Sequence, residues 1–167
     1  MTAIVNASLN WGIGKDGALL YPIPEDMRFF RRMTQGQVVV MGSGTLSSFP
    51  GQRPLKDRVN IILSRRAGFA PEGFLVCRDL SQLRDTLGDF PGKEIFVIGG
   101  QQIYALLIAY CDKAYVTRVK AHREADAFFP DLDALPGWEL AESSPESQHE
   151  GVSFCFCTYH NHAPAPL

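Results

Sequence analysis

No stretch of the 167-residue chain approaches the ~20 consecutive apolar residues that a membrane-spanning helix needs. The opening residues, MTAIVNASLNWGIG, lack a basic segment followed by an apolar one, so no secretion signal is expected and the cytoplasm is the expected location. Positive charge is not in excess: 18 acids against 16 bases leave a formal net charge of -2, which removes the electrostatic footprint of a nucleic-acid or anionic-membrane binder. Small-molecule chemistry is what remains. Cysteine is sparse, and Cys77, Cys111, Cys155 and Cys157 form no CxxC pair. The histidines, His122, His149, His160 and His162, stand at no ligand spacing, so no metal site is expected and the thiols are expected to be free. Internal repeats and linkers are absent, which makes one domain the simplest organisation. Missing too is a GxGxxG motif opening a strand-helix-strand unit.

What is present is an alternation. The apolar runs AIVNASL, QVVVMG, RVNIILS, GFLVC, EIFVIGG and KAYVTRV are interleaved with the helical patterns PEDMRFFRRM, TLSSF, DLSQLRDTL and QQIYALLIAY. That order predicts an α/β fold with a largely parallel sheet. Beyond residue 120 the helical period stops, and WELAES and VSFCFCTYH predict a terminal antiparallel hairpin.

Within the first helical pattern one acid is oddly placed. At about 100° per residue, Phe30 and Met33 lie within about 40° of Asp26, while Arg28, Arg31 and Arg32 occupy the opposite side. Asp26 therefore points into the apolar face. A carboxylate there must find hydrogen-bond donors, hold a proton or face a cleft; a plain acid in the first helical turn is the simpler alternative. Two strand ends carry glycine, Gly42 with Gly44 and Gly99 with Gly100, the second opening a helix. Each is by itself a tight turn, and together they favour a long, phosphate-bearing ligand. Gly12 to Tyr21 reads as a mobile loop able to fold over a ligand. Arg65 and Arg66 follow a strand, where they could meet a phosphate or merely solvate its end, and Arg58 precedes it, placed for a carboxylate or a surface ion pair.

In order and spacing, "IVNASLNWGIGKDGALLYPIPEDMRFFRRMT", "VVVMGSGTLSSFP", "RPLKDRVNIILSR", "EIFVIGGQQIYALL", "AYVTRV" and "EADAFFPD" resemble the dihydrofolate reductases, across residues 3 to about 159. The resemblance implies a single-domain α/β fold over residues 1–160 with a tail at 161–167. Its sheet would be eight-stranded and mostly parallel with an antiparallel C-terminal strand, flanked by about four helices. It implies a monomer that uses NADPH to reduce 7,8-dihydrofolate and can be open to antifolate inhibitors. By the same resemblance Asp26 grips the amidine-like edge of the pterin and Thr117 completes that network; an acid on that far edge is too remote to protonate N5, so a water reached under the Gly12 to Tyr21 loop, near Tyr21, is the expected proton donor. Ile4, Val5, Met27, Phe30, Phe49, Leu55, Ile98 and Tyr104 match substrate contacts, and Arg58 matches the group that takes the glutamate α-carboxylate. Gly99, Gly100, Gln101, Gln102 and Ile103 match the pyrophosphate side of NADPH, and Gly42, Ser43, Gly44 and Thr45 the adenosine side. Leu63, Ser64, Arg65 and Arg66 fall near the 2'-phosphate, and Asn6, Ile13, Gly14 and Leu19 complete the cofactor set.

The chain departs from the family pattern at several places. No basic residue stands in the turn Met41 to Thr45, Tyr21 replaces the usual tryptophan, Leu20 a frequent proline, and Asn6 a small apolar residue. The Asn6 side chain would add a hydrogen bond or narrow the site. Two alternatives stay open: a riboflavin-pathway pyrimidine reductase of the same fold, and a nonenzymatic NADP- or pterin-binding protein. Asp26 and Arg58 favour folate over the first; Asp26, Thr117 and the glycine pair argue against the second.

Overall fold

Val38, Val39, Val40 and Met41 are wholly buried, as an uninterrupted apolar strand must be when both faces of its sheet are covered. The computed structural model describes residues 1–167. In chain order its elements are β1 (Thr2–Ser8), β2 (Gly12–Lys15), β3 (Ala18–Leu19), α1 (Pro24–Thr34), β4 (Val38–Gly42), α2 (Ser43–Leu46), β5 (Val59–Leu63) and β6 (Leu75–Cys77). There follow α3 (Leu80–Leu87), β7 (Ile95–Gly99), α4 (Gln101–Leu107), β8 (Lys113–Val119), β9 (Ala127–Phe128), β10 (Trp138–Ser143), β11 (Ser147–His149) and β12 (Val152–Asn161).

The main sheet runs β10-β12-β8-β1-β7-β4-β5-β6. From β8 to β6 all neighbours are parallel, and β12 enters antiparallel beside β8. The expected α/β sheet with four helices is therefore present, with the short β11 added on β12 as a ninth strand. Side-chain alternation divides the core. Val38 and Val40 of β4 join Ala3, Val5 and Val97 under Leu83 of α3 and Leu107 of α4. Val39 and Met41 turn the other way with Ile4, Ile62 and Phe96, beneath Leu46 of α2 and the partly buried Phe29, Phe30 and Met33 of α1.

The Gly12 to Tyr21 segment differs from the mobile loop read in the sequence. It folds as the β2–β3 hairpin, and β2 also pairs with β9 in a separate sheet of order β3-β2-β9. The Asp16 N–H donates to Asp126 at 2.9 Å, and Lys15 pairs with Glu124 at 2.6 Å. The pinning strand has only two residues, too few to announce themselves by periodicity. Elsewhere the four cysteines are free and buried, and no helix is long and apolar enough to cross a membrane. After β12 the chain turns back, where the Ala165 N–H donates to the Ala109 carbonyl at 2.8 Å.

Candidate active site

The carboxyl ends of parallel strands are where an open α/β sheet leaves a crevice. Here Gly42 ends β4, Leu63 ends β5 with Ser64 just beyond it, and Gly99 ends β7, all lining one cleft of about 2070 Å³. That is at least twice the space a drug-sized ligand fills, enough for two molecules side by side.

Asp26 occupies the third position of α1, whose N-terminus has Pro24 in its first turn and no side-chain cap. Its role is therefore not capping. The hydroxyl of Thr117 donates to Oδ1 at 2.6 Å, and Nδ2 of Asn6 donates to Oδ2 at 3.1 Å. Asn6 and Thr117 are register partners on β1 and β8, so both side chains leave the sheet on the face that α1 covers. Burial raises the Asp26 pKa above the ordinary carboxylate value, and the bonds from Thr117 and Asn6 pull against that rise. Beside it the Tyr104 hydroxyl donates to the Ile4 carbonyl at 2.7 Å, and burial, with the charge of Asp26, keeps that phenol protonated.

At one mouth of the cleft lies Arg58, half-buried. Its Nε donates to Thr34 Oγ1 at 3.1 Å, Nη1 to the Lys56 carbonyl at 2.8 Å and Nη2 to the Arg31 carbonyl at 3.4 Å. Three of its five N–H groups are thereby used, leaving one on each terminal nitrogen. Burial, and then the nearby Arg31, lower its pKa from the usual arginine value.

The other end is built from bare backbone and cations. A Cβ on Gly42 would lie 2.8 Å from Ile103 Cγ1, and one on Gly99, at φ 123°, would lie 3.4 Å from the Tyr104 ring. Only glycine lets β4, β7 and the start of α4 come this close. Beyond them Arg65 and Arg66 line the cleft without a carboxylate partner, Arg66 lying 4.8 Å over the Phe69 ring. Arg78 braces this loop, donating to the carbonyls of Ser64 at 3.1 Å and Phe69 at 2.9 Å, and to that of Arg66.

The family profile described as Dihydrofolate reductase matches residues 1–161. The chain belongs to the dihydrofolate reductase family. A dihydrofolate reductase of Bacillus subtilis is 36% identical over 140 residues, which cover 83% of this chain and 79% of that protein. A bifunctional dihydrofolate reductase-thymidylate synthase of Daucus carota is 35% identical over 93% of this chain, which spans only 33% of that relative's length. Among solved structures, the dihydrofolate reductase of Enterococcus faecalis complexed with NADP(H) and RAB-propyl superposes with a TM-score of 0.81. Its identity is 31%, and the match covers 95% of this chain and 94% of that one.

Of the residues that the family resemblance singled out, all line the cleft except Thr117 and Tyr21. Thr117 is buried behind Asp26 and is joined to the cleft only by its bond to that acid. The side chain of Tyr21 is a correction to the sequence reading. Its ring packs with Leu20, Ile23, Val119 and Phe154, Arg123 lies 4.6 Å over it, and its hydroxyl is buried without a partner. Only its backbone carbonyl comes near the acid, accepting from Asn6 at 3.0 Å. Asn6 does line the cleft, but its amide is directed at Asp26 and Tyr21.

The cleft also includes residues that sequence reasoning missed in this family member. Arg28 and Arg31 read as a solvated helix face, and they are solvated, but the solvent is that of the cleft mouth. Arg78 has no sequence signal at all, because its work is to bond three carbonyls of an irregular loop.

Proposed function

We propose that this chain reduces 7,8-dihydrofolate to 5,6,7,8-tetrahydrofolate with NADPH. One observation carries the reading. Asp26 is a deep carboxylate with no cation beside it and one fixed donor on each oxygen, inside a cleft whose far end is bare backbone and unpaired arginine. Each oxygen retains a lone pair, so the acid can accept a planar pair of N–H groups such as the pterin edge presents. Phe30, Phe49, Leu55 and Ile98 line the cleft as apolar walls for the ring and the aminobenzoyl group, with Ile4, Val5, Met27 and Tyr104 completing the contact. The two free N–H groups of Arg58 suit the glutamate α-carboxylate.

The residues present fit the cofactor. The glycine approaches at Gly42, Gly99 and Gly100, with Ser43 to Thr45 and Gln101 to Ile103, would hold the dinucleotide backbone. Leu63 and Ser64 would flank the 2'-phosphate, and Arg65 with Arg66 would supply its counter-charge; Ile13, Gly14 and Leu19, which line the same cleft, would close the nicotinamide side. When bound, NADPH supplies the hydride that C6 of the pterin receives. The chain's own contribution is to hold the two rings in contact and to keep bulk water out beneath the β2–β3 hairpin. Asp26, tied back to the sheet by Asn6 and Thr117, holds the ring edge, and a water admitted to the cleft delivers the proton to N5.

Residues 1–160 are assigned to this reductase domain and 161–167 to a tail. The protein is further assigned to the cytoplasm, as a monomer open to antifolate inhibition; the free thiols suit a reducing compartment. Asp26 and Arg58 together disfavour a pyrimidine-reductase reading, whose substrate offers no glutamate for Arg58.

The test is an assay of purified protein with both nicotinamide cofactors. NADPH should be oxidised only when dihydrofolate is present, and NADPH binding without turnover would favour a nonenzymatic protein. In the same assay Arg65→Ala should narrow the NADPH/NADH ratio of kcat/KM by about tenfold, the scale of one charge-assisted phosphate contact. A ratio left unchanged would remove Arg65 from the 2'-phosphate.

A further inference from the structure

We propose that Asn6 is a positioning residue for the catalytic acid: its amide bridges Asp26 Oδ2 and the Tyr21 carbonyl, tying the acid's orientation to the end of the β2–β3 segment. The inference rests on the reductase reading for its effect on turnover, but the bridge itself is independent of any ligand. Nδ2 has two hydrogens and two acceptors, Tyr21 O at 3.0 Å and Asp26 Oδ2 at 3.1 Å. Both neighbours are acceptors, so the amide can sit only one way round. Oδ1 is left without a protein donor, in a residue that lines the cleft.

A small apolar side chain at position 6 would leave Oδ2 and the Tyr21 carbonyl without this donor. Thr117 alone would then fix the carboxylate, through one oxygen, and the acid could turn about that single bond. With Asn6 present the plane of the carboxylate is set from two strands before substrate arrives. The other groups facing the acid cannot replace it. The Thr117 hydroxyl from β8 is on Oδ1, the Tyr104 phenol of α4 is spent on Ile4, the Tyr21 hydroxyl lies in another apolar cluster, and no cation is paired with Asp26. Donation from Asn6 also opposes the rise in pKa that burial imposes.

Nuclear magnetic resonance of the full-length protein without substrate or cofactor tests this directly. In the parent, the Asn6 side-chain amide resonances should shift with the titration of the Asp26 carboxyl; an amide that stays still through that titration overturns the proposal. In Asn6→Ala, and in Asn6→Leu, which keeps the volume, the Asp26 pKa should rise by about one unit as a donor to the charged form is lost. KM for dihydrofolate should rise about tenfold with kcat within about threefold, and NADPH affinity should hold. If instead NADPH affinity falls while the Asp26 pKa and KM stay put, Asn6 serves the cofactor and the proposal fails. A failure of the reductase reading would show separately, as a parent protein that does not turn over dihydrofolate yet has an Asn6 amide that follows Asp26.

Discussion

Asp26→Asn is expected to lower kcat/KM for dihydrofolate by about 10³-fold at neutral pH, since it removes two charge-assisted hydrogen bonds to the ring edge, each about 1.5–3 kcal/mol. The loss should fall on both kcat and KM, because the acid holds the ring in the ground state and holds it more strongly as protonation at N5 puts positive charge on the ring in the transition state. The introduced amide could still accept from Thr117, but it would turn an NH2 group toward the Asn6 amide, donor against donor. Stability should respond with the opposite sign. Burial lifts the Asp26 pKa in the folded chain above its value of 3.8 in a free carboxyl. Between those two values the folded chain binds the proton more readily, so the stability contributed by this group declines as pH rises through that window. Above the folded pKa the full penalty of burying the charge is present. Asp26→Asn has no proton to lose there, so melting temperatures measured from pH 4 to 8 should separate in the variant's favour as pH rises. A difference that stays flat with pH would mean that Asp26 is not a strained buried acid.

That opposition explains why the helix period could locate Asp26 in advance. A carboxylate between Phe30 and Met33 is unfavourable for folding, and a helix repeats regularly enough to show which residue breaks its pattern. The two glycine turns were legible for a related reason, since each closes an apolar strand whose length is set by burial. Position 6 lies between these cases. The run AIVNAS shows a strand with an amide in it, and its alternation puts Asn6 on the same face as Ile4. What the amide touches depends on β8 and on the end of an irregular segment, neither fixed by the spacing within β1. Tyr21 lies in that irregular segment, where no period sets the direction of a ring, so its packing against Val119 and Phe154 was invisible. The same holds for Ala127 and Phe128, which pin β2 from more than a hundred residues away.

Arg58→Leu is expected to raise KM for dihydrofolate about 100-fold with kcat changed by less than about threefold, since a paired guanidinium–carboxylate contact remote from the reacting atoms is made equally in both states. The guanidinium is placed for this from three directions. Thr34 and the Arg31 carbonyl hold it to the last turn of α1, the Lys56 carbonyl holds it to the loop before β5, and one N–H on each terminal nitrogen remains free. Removing it also loosens the end of α1, so a lower melting temperature is expected and the folded fraction should be checked by NADPH titration. The decisive comparison is with a dihydropterin lacking the glutamate. If Arg58 reads the α-carboxylate, that truncated substrate should already show the raised KM with the parent protein, and Arg58→Leu should add little. Arg58→Lys, which keeps a charge but loses the fork, should fall between parent and Arg58→Leu. An equal rise in KM for both substrates would instead make Arg58 a brace for α1, and the carboxylate would have to be sought among Arg28, Arg31 and Lys56, which line the same mouth of the cleft.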